Sequence, residues 1–71
     1  MAEMFPVGSQ RITEMGYDSE SATVYVRFKN GQSWCYMNVP QDVWDLFVAS
    51  DSKGRFIKET LDAYQNGPCG I

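Results

Sequence analysis

Thr23-Val24-Tyr25-Val26-Arg27-Phe28, Lys29-Asn30-Gly31-Gln32 and Ser33-Trp34-Cys35-Tyr36-Met37 follow one another mid-chain, and they read as two strands joined by a turn. β-Branched and aromatic residues alternate with polar ones on both sides of Asn30-Gly31, the signal of a β-hairpin. Two closures fit. With Asn30 and Gly31 alone as the loop, Tyr25 lies opposite Tyr36 and Arg27 opposite Trp34. One face then carries these four residues, and Val24, Val26, Phe28, Cys35 and Met37 form the other. With a third loop residue and a bulge at Gly31, the register slips by one, and Trp34 and Tyr36 join Val24, Val26 and Phe28 inside.

The first closure presents an aromatic and basic platform, on which each stacked base contributes about 1–3 kcal/mol. The second leaves a narrower outward strip of Tyr25, Arg27 and Lys29. Core size favours the second. A chain of 71 residues hides only roughly 60% of the surface it exposes unfolded. Burying one large aromatic contributes about 1.5–3 kcal/mol, so a core this small needs both Trp34 and Tyr36.

Around the hairpin the chain reads as one domain over residues 9–65, between an N-terminal arm (1–8) and a C-terminal tail (66–71). The arm carries Pro6 and Gly8 and no period. Residues 9–17, with Ile12, Met15 and Tyr17 as buried candidates, form a short first strand of irregular pattern. Asp18-Ser19-Glu20-Ser21 is a polar turn, because Asp and Ser bond their own backbone. Pro40 suits the first position of a helix and Asp42 its first turn. Val43, Trp44, Leu46, Phe47 and Val48 make that helix broadly apolar and largely buried. After the break at Ala49-Ser50-Asp51-Ser52, the residues Phe56, Ile57, Thr60, Leu61 and Tyr64 mark a second helix from about Gly54 to Tyr64, stopped by Asn66-Gly67-Pro68. The expected architecture is α+β: a three-stranded antiparallel meander followed by two helices packed on one face.

Six Lys and Arg against nine Asp and Glu give a net charge of −3, which argues against a long duplex footprint. Arg27 and Lys29 share one strand, and Lys53, Arg55 and Lys58 cluster later, whereas Asp42, Asp45, Asp51, Glu59 and Asp62 belong to the helical half. Two Cys and no His make a zinc site improbable. Cys35 and Cys69 form no disulfide framework of the secreted kind, and both read as free thiols in a reducing cytoplasm. No apolar run approaches a membrane span or a signal core.

In order, Ser9-x-x-Ile12, Gly16-Tyr17-Asp18, Val24-x-Val26-x-Phe28-x-x-Gly31, Trp34-x-Tyr36-x-x-Val39-Pro40, Val43-Trp44 and Ala49-x-x-Ser52-x-Gly54-x-Phe56-Ile57 together resemble the KTSC domain family over roughly residues 9 to 64. The family is named for the C-terminus of some lysyl-tRNA synthetases and also occurs as stand-alone proteins of bacteria and phages. Trp34-Cys35-Tyr36 takes the place of its central aromatic-x-aromatic pair, usually two tyrosines. The synthetase association implies RNA binding.

The candidate binding residues are thus Tyr25, Arg27, Lys29, Trp34 and Tyr36. Lys53, Arg55 and Lys58 stand around a helix start with Ser52 and Gly54, a candidate anion site. Cys35 has no His to activate it and no acid pair stands out, so no catalytic residue, metal or cofactor is expected. The expected function is a cytoplasmic, non-catalytic interaction domain that binds RNA, monomeric or weakly self-associating, with no membrane or small-molecule substrate. Small size and acidity point to the alternative of a phage or bacterial protein that binds and inhibits a host protein, for example a defence component in the host cytoplasm.

Overall fold

The central hairpin closes with three loop residues. In the computed structural model, which describes residues 4–9 and 11–70, the Phe28 N–H donates to Gln32 O (2.8 Å) and the Gly31 N–H to Phe28 O (2.9 Å). Gly31 has φ +90, a conformation that glycine adopts without a Cβ penalty. Asn30 helps by accepting the Gln32 N–H on Oδ1 at 2.9 Å. The resulting register sets Val24 opposite Tyr36 and Val26 opposite Trp34 on one face, with Tyr25 opposite Cys35 and Arg27 opposite Ser33 on the other. The two-residue closure, with its four-residue aromatic and basic face, is excluded.

The sheet has five antiparallel strands in sequence order: β1 (Phe5–Pro6), β2 (Ile12–Asp18), β3 (Thr23–Phe28), β4 (Ser33–Tyr36) and β5 (Asn66–Pro68). The expected meander is β2-β3-β4. The two further strands come from the segments read as arm and tail, and both are too short to carry an alternation. Pairing with longer neighbours holds them: Phe5 stands opposite Met15, and Gly67 opposite Cys35. Pro6 and Pro68 are tolerated because both strands lie at an edge. Residues 1–3 of the expected arm, Gln10 of the expected first strand and Ile71 of the tail lie outside the described residues.

The irregular pattern of β2 has a local cause. A bulge between Ile12 and Glu14 absorbs one residue, so Ile12 and Met15, three apart, both reach the core. The polar turn forms as expected, with Asp18 Oδ1 accepting the Glu20 N–H at 3.0 Å.

Helix α1 (Gln41–Ala49) starts one residue later than expected, with Pro40 as its extended cap residue and Asp42 in the first turn. It is not largely buried. Trp44 and Phe47 face the sheet, whereas Leu46 and Val48 are 62% and 45% exposed, because a short helix on a single sheet covers only one stripe. Helix α2 (Lys53–Glu59) is shorter than expected and is capped by Ser52, whose Oγ accepts the Arg55 N–H. A 3-10 turn (Leu61–Ala63) completes the segment and keeps Leu61 in the core, so the helical spacing outlasts the helix. Both helices lie on the face carrying Ile12, Met15, Val24, Val26 and Tyr36, and Val39, Trp44, Phe47, Ile57 and Leu61 complete that core.

The opposite face has no helix. There Cys35 and Cys69 are joined by a disulfide, with Cα atoms 5.9 Å apart. The free-thiol reading is therefore overturned. β5 returns alongside β4 after both helices, with the Cys69 N–H donating to Ser33 O at 3.2 Å, and this return brings together two residues 34 apart in sequence.

Candidate functional site

The outward strip does not survive as a unit. Tyr25 is half-buried between Gly16 and Cys35. Arg27 is held by Glu14, Nη1 to Oε1 at 2.7 Å, with both side chains one-third exposed. Lys29 has left the strand for the hairpin loop. Its N–H donates to Arg11 O at 3.1 Å, and it lines a depression with Arg11, Phe28, Asn30 and Gln32.

Lys53, Arg55 and Lys58 also separate in role. The Lys53 Nζ donates to Val48 O (3.0 Å) and Ser50 O, placing its charge on the free carbonyls at the C-terminal end of α1. It stands 6.0 Å from the Phe47 ring centre. Arg55 pairs with Glu59 at 3.7 Å on the exposed side of α2. Lys58 has no ion-pair partner among the described residues and faces a groove.

That groove runs between α2 and the hairpin. Arg11, Phe28, Gln32, Trp34, Tyr36, Ile57, Lys58, Asp62 and Asn66 line it. Trp34 is half-buried, and its Nε1–H donates to Asn66 Oδ1 at 3.0 Å. Asn66 is positioned in turn by Tyr64, whose carbonyl accepts from Nδ2 at 2.7 Å. Tyr36 is 2% exposed, and burial pushes its hydroxyl up to about 12, with Asp62 adding to the shift and Arg11 opposing it. The Tyr36 hydroxyl therefore remains a proton donor throughout the neutral range.

Arg11 joins the parts. It lines this groove, the depression beside Lys29, and a second groove shared with Lys53, Arg55 and Lys58. Its side chain lies across Gly54 of α2, where a Cβ would fall 2.5 Å from Arg11 Cδ. Five of the six Lys and Arg, all but Arg27, thus line adjoining hollows that meet at Arg11. Asp51, Glu59 and Asp62 are the acids on the same surface. Sequence reasoning did not single out Arg11, because it falls in the irregular stretch read as the first strand, outside any period, and in the structure lies just before β2. Its only trace was a glycine, Gly54, in the first turn of a helix. No group of residues able to hold a metal ion occurs among the described residues.

The KTSC domain model matches residues 8–64. The chain belongs to the KTSC domain family. A protein of Tsukamurella paurometabola is 39% identical over 54 residues, covering 76% of this chain and 81% of its own. The crystal structure of a KTSC domain protein from Yersinia pestis matches with a TM-score of 0.89 at 28% identity, covering 99% of this chain and all of the other. In this KTSC domain the aromatic-x-aromatic pair, Trp34 and Tyr36, lies on the helix-covered face and forms the floor of the groove. Among the described residues no helix is long and apolar enough to cross a membrane.

Proposed function

We propose that this KTSC domain is a non-catalytic interaction domain that binds single-stranded RNA along the surface centred on Arg11. One observation carries the reading: in a chain of net charge −3, five of six cations gather on adjoining hollows floored in part by Trp34 and Phe28. Cations that track a backbone, with aromatic edges between them, are the elements of single-strand recognition. The test is titration of isotope-labelled protein with single-stranded RNA and with tRNA at low salt, where phosphate contacts are strongest. Shift changes at Arg11, Lys29, Trp34 and Lys58 are expected, and an unchanged spectrum overturns the reading.

A second reading rests on α1. Leu46 and Val48 are exposed beside Asp42 and Asp45, an acidic and apolar face suited to a basic host protein that the domain would inhibit. Recovery of one stoichiometric protein from host lysate, lost on Leu46→Glu substitution, supports it. Recovery of nucleic acid alone counts against it.

Location follows from redox state. A cytoplasmic domain, in the host cytoplasm if phage-encoded, would carry Cys35 and Cys69 reduced for most of its life, whereas the disulfide persists in an oxidising setting. Alkylation of thiols in intact cells followed by mass spectrometry separates the two.

A further inference from the structure

Tyr36 is almost wholly buried, yet its hydroxyl hydrogen-bonds no described residue and opens onto the groove, since no buried side-chain N or O atom among the described residues lacks a partner. Tyr17 shows the contrast, donating its hydroxyl to Val39 O at 2.6 Å. A hydroxyl open to a groove and not engaged by the protein keeps its donor for a ligand that enters there. The Tyr36 side chain is 2% exposed and lines the groove between α2 and the hairpin, and the charges facing its hydroxyl are Asp62 and Arg11. Arg11 and Lys58 border the same groove, are exposed, and have no ion-pair partner among the described residues.

We propose that Tyr36, Arg11, Lys58 and Asp62 form a subsite for one ribonucleotide unit. The hydroxyl is a donor at neutral pH, so its complement is an acceptor. Two cations beside it select an anionic acceptor, and a phosphate oxygen satisfies all three groups. Asp62 opposes a bare dianion. A ligand with a hydroxyl next to its phosphate turns that carboxylate into a hydrogen-bond acceptor, and the ribose 2′-hydroxyl is such a group. Phe28 and Trp34 supply the apolar wall for the base. The subsite rests on the RNA reading for its biological source, though its chemistry is shared by a free nucleotide.

The experiment uses the full oxidised chain with adenosine monophosphate, its 2′-deoxy counterpart and single-stranded RNA, followed by chemical shifts. Adenosine monophosphate is expected to perturb Arg11, Tyr36 and Lys58. The isosteric Tyr36→Phe should weaken it about tenfold, the scale of a hydrogen bond to a charged group. Asp62→Asn should erase the preference over the deoxy form. Lys58→Ala, at an exposed position, checks the anion contact without touching the core. Equal binding by wild type and a folded Tyr36→Phe variant overturns the subsite, as does no response to adenosine monophosphate. If RNA binding then persists and falls with Arg11→Ala, the groove reading stands without the subsite. If the mononucleotide binds and RNA does not, the subsite stands and the RNA reading fails.

Discussion

Cys69 is disulfide-bonded to Cys35 diagonally across β4 and β5, on the face opposite the helices, and closes a loop of 34 residues in sequence separation. Both helices lie within that loop, so the bond constrains most of the unfolded chain between β4 and the C-terminal strand. On a chain-entropy basis it contributes roughly 3–4 kcal/mol, a large share of the stability of a domain this small. Urea unfolding of oxidised and reduced protein should differ by that amount, and Cys69→Ser should match the reduced form. Coincident midpoints would show that β5 is held by its backbone pairing alone.

Gly54 and Arg11 give a way to move the groove without weakening the fold. A methyl group at Gly54 meets the Arg11 side chain at 2.5 Å, and an exposed, flexible arginine can shift. Replacing a glycine inside a helix with alanine favours the helix by up to about 1 kcal/mol. Gly54→Ala should therefore keep or raise the melting temperature while weakening RNA binding. A loss of stability of more than about 1 kcal/mol would mean that Arg11 is fixed in place.

The contrast between what the sequence reveals and what it hides runs along the same lines. The meander β2-β3-β4, both helices and the buried positions of Val24, Val26, Trp44, Phe47, Ile57 and Leu61 follow from period and turn chemistry, because each spans several residues. Even the hairpin register could be argued, since a small core needs Tyr36. β1 and β5 are hidden because two or three residues carry no period, and their pairing depends on neighbours distant in the chain. The disulfide is hidden for the same reason. Arg11 and Lys58 line one groove only because a bulged strand start and the last turn of α2 converge, which no local pattern records. Arg27 reads as a candidate binding residue because Glu14, which pairs with it, lies on another strand.

Placing the binding surface at Arg11 rather than along Tyr25 and Arg27 has a quantitative consequence. If Arg11, Lys29 and Lys58 contact phosphates, the logarithm of the RNA association constant should fall with the logarithm of salt at a slope of roughly −2, since each contact on a single strand contributes about −0.7. Arg11→Ala or Lys58→Ala should lower the slope by about one contact. Arg27→Ala should leave the slope unchanged and lose no more than about 1 kcal/mol of stability with its partly exposed ion pair. A slope altered by Arg27→Ala and unaffected by Arg11→Ala would return the site to the outer face.

Tyr36 also sets an alkaline limit on stability. Burial, reinforced by Asp62, holds its proton up to about 12 in the folded state, whereas the unfolded tyrosine releases it near 10. Between those values unfolding releases a proton, so stability falls as pH rises; below about pH 10 the contribution is fully present. Over the whole interval the effect amounts to roughly 3 kcal/mol. Tyr17 acts in the same direction, raised by burial first and by Asp45, Asp18 and Asp42 after it. Urea midpoints measured from about pH 9 to 11.5 should decline steeply in wild type and less steeply in Tyr36→Phe, the remaining slope reflecting Tyr17. Parallel profiles for the two proteins would show that the Tyr36 hydroxyl ionises as readily in the folded groove as in the unfolded chain.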